Sequence, residues 1–248
     1  MSNFKFEVCA NSVESCLAAQ DGGADRVELC AGIPEGGTTP SYGEIKVARR
    51  LLSSTLLHVI IRPRGGDFLY SALEMERMKE DILMCKELGV DGVVFGCLTA
   101  EGNIDMEKNA MLIECAKGMS VTFHRAFDRT KAPLAAMEDI ISLGCNRILT
   151  SGQQSKAIDG TPLLAQLQKQ AEDRIIILAG SGVTEDNIAQ IYKETGINEY
   201  HFSARKSVKS MMINMCSNIY MGNKGADEQN ILVTDTDRVR ATISKLKA

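Results

Sequence analysis

No stretch of this 248-residue chain approaches the roughly 18 consecutive apolar residues of a membrane-spanning helix, so a membrane partner is not expected. Basic residues are not in excess: 28 Lys and Arg stand against 32 Asp and Glu, a net charge of -4. No overall positive field therefore draws the chain to nucleic acid or anionic lipid. The charged and apolar blocks of a secretory signal are missing, because Met1-Ser2-Asn3 runs straight into an apolar segment. The expectation is a cytoplasmic protein. Neither Cys-x-x-Cys nor His-x-x-x-His spacing occurs, which excludes a compact, sequence-local metal site. Any metal site must be assembled from distant strands. The eight cysteines are scattered rather than framed for disulfides, and in the cytosol they read as free thiols. Cys16, Cys85 and Cys115 lie in helical patterns, where cysteine packs as a small apolar side chain.

What the chain does contain is a rhythm. Eight short apolar runs end abruptly at Glu7-Val8-Cys9, Glu28-Leu29-Cys30, Arg62-Pro63-Arg64, Gly96-Cys97, His124-Arg125, Thr150-Ser151-Gly152, Gly180-Ser181-Gly182 and His201-Phe202-Ser203. A parallel strand buried on both faces is continuously apolar, so a polar stop marks where it leaves the core. Strands are expected at Phe4 to Val8, Arg26 to Leu29, Leu57 to Ile61, Gly92 to Phe95, Ser120 to Phe123, Arg147 to Leu149, Ile175 to Leu178 and Glu199 to Phe202. Helical periodicity falls between them, near 12–20, 41–52, 71–88, 106–117, 133–143, 160–171 and 185–195. Alternating strands and helices imply parallel pairing with right-handed crossovers.

An open dinucleotide-binding sheet would carry Gly-x-Gly-x-x-Gly after its first strand, and this chain has Cys9-Ala10-Asn11-Ser12 there. The α/β class is therefore assigned as a TIM-type (β/α)8 barrel, a single domain over 1–248 with no linker-like segment to divide it. Residues 206–236 fit no barrel element and are expected to be irregular, before a last helix from about Asp237 to Leu246. Met211, Met212, Met215 and Met221 near Cys216 read as a flexible apolar contact surface rather than thioether ligands.

Barrel strands alternate between helix-facing and inward-facing residues. Phe4, Phe6 and Val8 fit the helix-facing phase, which leaves Lys5, Glu7 and Cys9 inside; Val27 and Leu29 likewise leave Arg26, Glu28 and Cys30 inside. Closing the barrel brings Glu199, His201 and Ser203 beside Glu7 and Cys9. Thiolates are soft ligands suited to Cu(I) or zinc, and Cys9 with Cys30 is the pair placed to converge, with His201 able to add an imidazole. The same cysteines also fit as small residues tapering the barrel mouth. Glu28 has a competing role as ion-pair partner of Arg62 at the neighbouring strand end. Left near a like charge instead, Glu7 or Glu28 would suit proton transfer.

The loop Arg62-Pro63-Arg64-Gly65-Gly66-Asp67-Phe68 offers two guanidiniums for a carboxylate or phosphate, or a salt-bridge network with Asp67. His124-Arg125-Ala126-Phe127-Asp128 supplies a base, a cation and an acid in five residues. Gly180-Ser181-Gly182 after strand seven, with Ser203 and Arg205 after strand eight, occupies the usual place of a barrel phosphate site, to which Ser151 of strand six is added.

These segments, together with Gly22 to Leu29, Gly36-Gly37-Thr38-Thr39-Pro40-Ser41, Val121 to Phe123 and Ile148 to Leu149, resemble the CutC family, proteins named for copper homeostasis. The resemblance runs to about Gly222. It implies a cytoplasmic α/β barrel, self-associated as a homodimer or higher homo-oligomer, that handles copper, with Cys9 and Cys30 at the positions of the proposed Cu(I) thiols. Two loops depart from the family pattern: Gln153 stands where a second glycine is common, and Ser181 interrupts a loop that is often all glycine. Two functions follow. One is Cu(I) binding by Cys9, Cys30 and His201. The other is an enzyme acting on a small anionic substrate held by Arg62, Arg64, Asp67, Arg125, Ser151, Gly180, Ser181, Gly182, Ser203 and Arg205, with Glu7, Glu28, His124 or Asp128 handling protons.

Overall fold

Helix starts are set by side chains that accept otherwise orphaned N–H groups. Ser12 caps α1 (Val13–Asp21), Ser41 caps α2 (Tyr42–Leu51) and Asp105 caps α4 (Met106–Cys115). Ser71 and Glu74 form a reciprocal capping box at α3 (Ala72–Glu87). The remaining outer helices are α5 (Pro133–Ser142), α6 (Thr161–Ala171) and α7 (Ile188–Thr195). In this computed structural model, which describes residues 4–214, 219 and 227–247, they surround eight parallel strands. The strands are β1 (Lys5–Ala10), β2 (Arg26–Leu29), β3 (Leu56–Ile60), β4 (Gly92–Phe95), β5 (Ser120–Phe123), β6 (Arg147–Thr150), β7 (Ile176–Gly180) and β8 (Glu199–Phe202). They close in sequence order into a barrel, β8 pairing with β1.

Phe6, Val8, Val27, Leu29, Leu57 and Val59 are fully buried in the apolar layer shared by strands and helices. Cys16 and Cys85 belong to that layer, and Cys115 packs half-buried against it. The opposite phase fills the barrel interior with polar groups: Glu7, Arg26, Glu28, His58, Thr122, Glu199 and His201 are all buried. Pairing register decides who meets whom. Glu7 lies opposite Arg26 on one side and His201 on the other, while Cys9 lies opposite Glu28.

Residues 206–236 are not wholly irregular. Arg205–Lys209 (β9) pairs antiparallel with Asn230–Thr234 (β10), and α8 (Thr236–Lys247) follows. The hairpin is tied to the barrel at its base. The Thr234 N–H donates to Ser15 Oγ at 3.1 Å and Asn11 Nδ2 donates to the Leu232 carbonyl at 2.8 Å. Arg238 of α8 donates to the Arg205 carbonyl at 2.6 Å and pairs with Glu185 at 3.0 Å. Met211 and Met212 are exposed, in keeping with the expected surface, whereas Met215, Cys216 and Met221 lie outside the described residues. Among the described residues no helix is long and apolar enough to cross a membrane.

The His58 ring occupies the space beside Gly92, where an added Cβ would stand 2.5 Å from Nε2. Because the ring is walled in, Gly92→Ala should lower the unfolding free energy by about 1–3 kcal/mol, as overpacking does. Chemical denaturation of the variant against the parent checks this.

Candidate functional site

The site rises from a charged floor. Arg26 is buried inside the barrel, where an uncompensated guanidinium would be costly, and it donates from Nε to Glu7 Oε2 and from Nη2 to Glu199 Oε2 at 2.8 Å. Arg147 adds a second bond to Glu199 Oε2 at 3.1 Å. Burial opposes charge on Glu7, but Arg26 and then His201 hold its carboxyl well below the usual range. Its second oxygen, Oε1, lies 2.8 Å from His201 Nδ1. With Glu7 ionised, that contact is an Nδ1–H donated to a carboxylate, and His201 Nε2 then faces Glu28 Oε2 at 3.5 Å.

Above this floor the two thiols converge, Sγ to Sγ 3.7 Å. Cys30 Sγ is also 3.5 Å from Glu28 Oε2, and Arg205 Nη2 donates to Cys9 Sγ at 3.2 Å. One ligand atom each from Cys9, Glu28 and Cys30 falls within a 4.8 Å group, a set that could hold a metal ion. The bond from Cys30, acting against burial and aided by His201 and Arg205, holds the Cys9 thiol well below its ordinary value. Cys30 moves the other way, raised by its bond to Cys9 and by burial. Burial, against the pull of His201, pushes Glu28 up to about 8. His201 stands well above its usual value because Cys9, Glu28 and Glu7 outweigh its burial. The cluster thus favours negative charge on Cys9, positive charge on His201 and a proton on Glu28.

Other candidates take different places. Arg62 does not meet Glu28. Its two Nη atoms are used on the carbonyls of Glu35, Gly37 and Gly66 at 2.9, 2.8 and 2.9 Å, pinning the loop after β2 to the loop after β3. Arg64 turns away from the mouth to Asp67 at 2.9 Å and Glu74 at 2.6 Å, so neither Arg64 nor Asp67 lines it. Asp128 is occupied as a loop organiser, accepting from Arg125, Thr150, Ser151 and Gln153. Ser151 in turn accepts from Arg125 Nη2 at 2.7 Å. Gly180 makes room for His201, whose Cβ would stand 3.1 Å from an added methyl.

Ser181, Gly182, Ser203 and Arg205 do line the mouth, together with Arg62, His124, Arg125 and Asp128, around a cavity of about 810 Å³. Both departures from the family pattern sit in left-handed backbone, Gln153 at φ 59° and Ser181 at φ 80°. Each is secured by its side chain: Gln153 donates to the Thr130 carbonyl at 2.7 Å and Ser181 to the Ser155 carbonyl at 2.8 Å. His58 is the buried group that the strand-end reading passes over, 4.0 Å from Glu7 and held down to about 3 by burial. Its signal was its parity with Arg62, since residues 58, 60 and 62 share the inward phase.

The profile of the CutC family matches residues 4–206, most of the chain. The chain belongs to the CutC family. A CutC family protein of Bacteroides thetaiotaomicron is 62% identical over 249 residues, covering 100% of both chains. The human copper homeostasis protein cutC homolog is 46% identical over 240 residues, 96% of this chain and 88% of that one. The crystal structure of the putative copper homeostasis protein CutC from Streptococcus agalactiae superposes with a TM-score of 0.78 at 36% identity, covering 81% of this chain and 98% of that one.

Two outcomes are expected of this member. Arg26→Met strips Glu7 of its guanidinium partner, leaves Glu199 with Arg147 alone, and should cost about 3–5 kcal/mol of stability, read by urea unfolding. In metal-free protein at pH 7, iodoacetamide should modify Cys9 ahead of Cys16, Cys85, Cys97 and Cys145, which burial pushes up to about 12. Arg205→Gln should slow that modification, and peptide mass spectrometry locates it.

Proposed function

We propose that this CutC protein binds Cu(I) in the cytosol, with Cys9 and Cys30 as the thiolate ligands and Glu28 and His201 as the adjoining oxygen and nitrogen donors. The observation that carries this reading is the 3.7 Å separation of the two sulfurs, Cys30 buried and Cys9 half-buried at the barrel mouth. With metal–sulfur bonds of ~2.3 Å, two thiolates on one ion stand about 3.8 Å apart at a tetrahedral angle, so little movement is needed. Thiolates take Cu(I) as well as zinc, the copper homeostasis names of the relatives favour Cu(I), and the reducing cytosol keeps both the metal and the thiols in the state that binds. Arg205 and His201 balance the negative charge on Cys9 before a cation arrives.

Anaerobic competition against a chromophoric Cu(I) chelator should report sub-micromolar affinity. The Cys9→Ser, Cys30→Ser double variant should lose it, and unchanged binding in that variant would overturn the ligand assignment.

The cavity supports a second reading. At about 810 Å³ it is far larger than one ion and falls in the range of small-molecule sites. The second reading is an enzyme for a small anionic substrate, in which Glu28 and His201, 3.5 Å apart, form the proton-transfer pair. Glu7 is removed from that role by Arg26, and Asp128 by its four donors.

A further inference from the structure

The wall of the cavity at the ends of β3 and β5 holds two N–H donors that make no hydrogen bond. His124 ends β5 with its ring buried, and its Nδ1 accepts the N–H of Ala126 at 3.3 Å. That bond fixes the tautomer: Nδ1 carries the lone pair, so Nε2 carries the hydrogen. Nε2 is buried and has no partner. Arg62, at the end of β3, is equally enclosed; its Nη atoms are used on carbonyls, while Nε is buried and without an acceptor. Among the described residues Arg62 makes no ion pair; its positive charge is met by carbonyl dipoles and by the face of the Phe68 ring. Burial and the nearby Arg62 charge hold His124 down to about 3, so it faces a ligand as a neutral donor rather than as a base.

The two donors belong together. The ring of Phe68 lies 5.1 Å from the Arg62 guanidinium and 4.9 Å from the His124 ring, touching both. Phe68 is half-buried at the end of the loop bearing Gly65 and Gly66, and it lines the cavity with Arg62 and His124. Between β3 and β5, Gly96 leaves the space that His124 uses, since an added Cβ would stand 2.9 Å from Nδ1. Buried N–H groups left unpaired cost stability, and two of them beside one aromatic ring are the complement of an oxygen ligand.

We propose that Arg62 Nε–H and His124 Nε2–H form an oxyanion site, covered by Phe68, that receives the carboxylate or phosphate of a small molecule entering the barrel mouth. The site opens on the same cavity as the thiol cluster and uses none of its residues. It deepens the second reading above by naming the donors and the ligand class, and it changes His124 from a proton acceptor to a hydrogen-bond donor.

Calorimetric titration with inorganic phosphate and, separately, with acetate tells the two sources apart: binding of either supports the site and identifies the preferred oxyanion. His124→Phe removes the donor while keeping an aromatic ring against Phe68, and should weaken binding tenfold or more, leaving Cu(I) affinity unchanged. His124→Gln retains an N–H and should weaken it less. In the unaltered protein, the Nε2 resonance of His124, one of three histidines, should shift on ligand addition, a readout independent of whether the variants fold. No shift of that resonance under saturating phosphate or acetate overturns the proposal, as does unaltered binding in both His124 variants. Binding lost only in Arg205→Gln would leave an anionic substrate in place but assign it to the loops after β7 and β8. Failure of both anions to bind would remove both.

Discussion

A guanidinium in the middle of a barrel has no water to solvate it, and Arg26 is in that position. Its balance by Glu7 and Glu199 fixes two carboxylates in place and holds the Glu7 carboxyl well below the usual range. Glu7 then has one oxygen left, which takes the Nδ1 side of His201 and so turns Nε2 towards Glu28. Glu28, two residues from the cation and with no guanidinium of its own, is the carboxyl that burial can raise. One cation shared unevenly between acids thus creates the difference between a locked carboxylate and a protonatable one, and the thiols rest on that difference.

The upper part of the barrel works by another means. There the strand ends are joined by backbone groups: Arg62 gathers three carbonyls and Asp128 gathers the N–H and hydroxyl groups of the loop after β6. These residues resemble ligand-holding groups in sequence because the same chemistry that grips a phosphate or a carboxylate also grips peptide groups. Their own partners, read atom by atom, separate the two uses. Arg64 and Asp67 satisfy each other, whereas His124 and Arg62 each retain a donor.

The barrel was legible because each of its strands is buried on both faces, so every polar stop stood out against an apolar run. Strand bounds differ from the expected ones by no more than two residues at either end, as at β1, which ends at Ala10 rather than Val8. Inward phase was equally readable: alternation alone placed Glu7, Cys9, Glu28 and Cys30 in the interior. Register was not, because the stagger of neighbouring strands is set by closure of the whole barrel. It puts Arg26 rather than Glu28 opposite Glu7, and the alternative pairing of Arg62 with Glu28 fails because His58 stands opposite Glu28. His58 was hidden because it lies inside an apolar run instead of ending one. The β9–β10 hairpin escaped notice because most of its residues are exposed, leaving no half-buried alternation to detect.

Arg205, which touches Cys9, opens β9, and its carbonyl is held by Arg238 from the last helix. The family profile ends at residue 206, so the strut that aims this cation at the thiol belongs to sequence beyond the shared barrel. Replacing Arg238 would therefore change the electrostatic setting of the two sulfurs without touching a ligand.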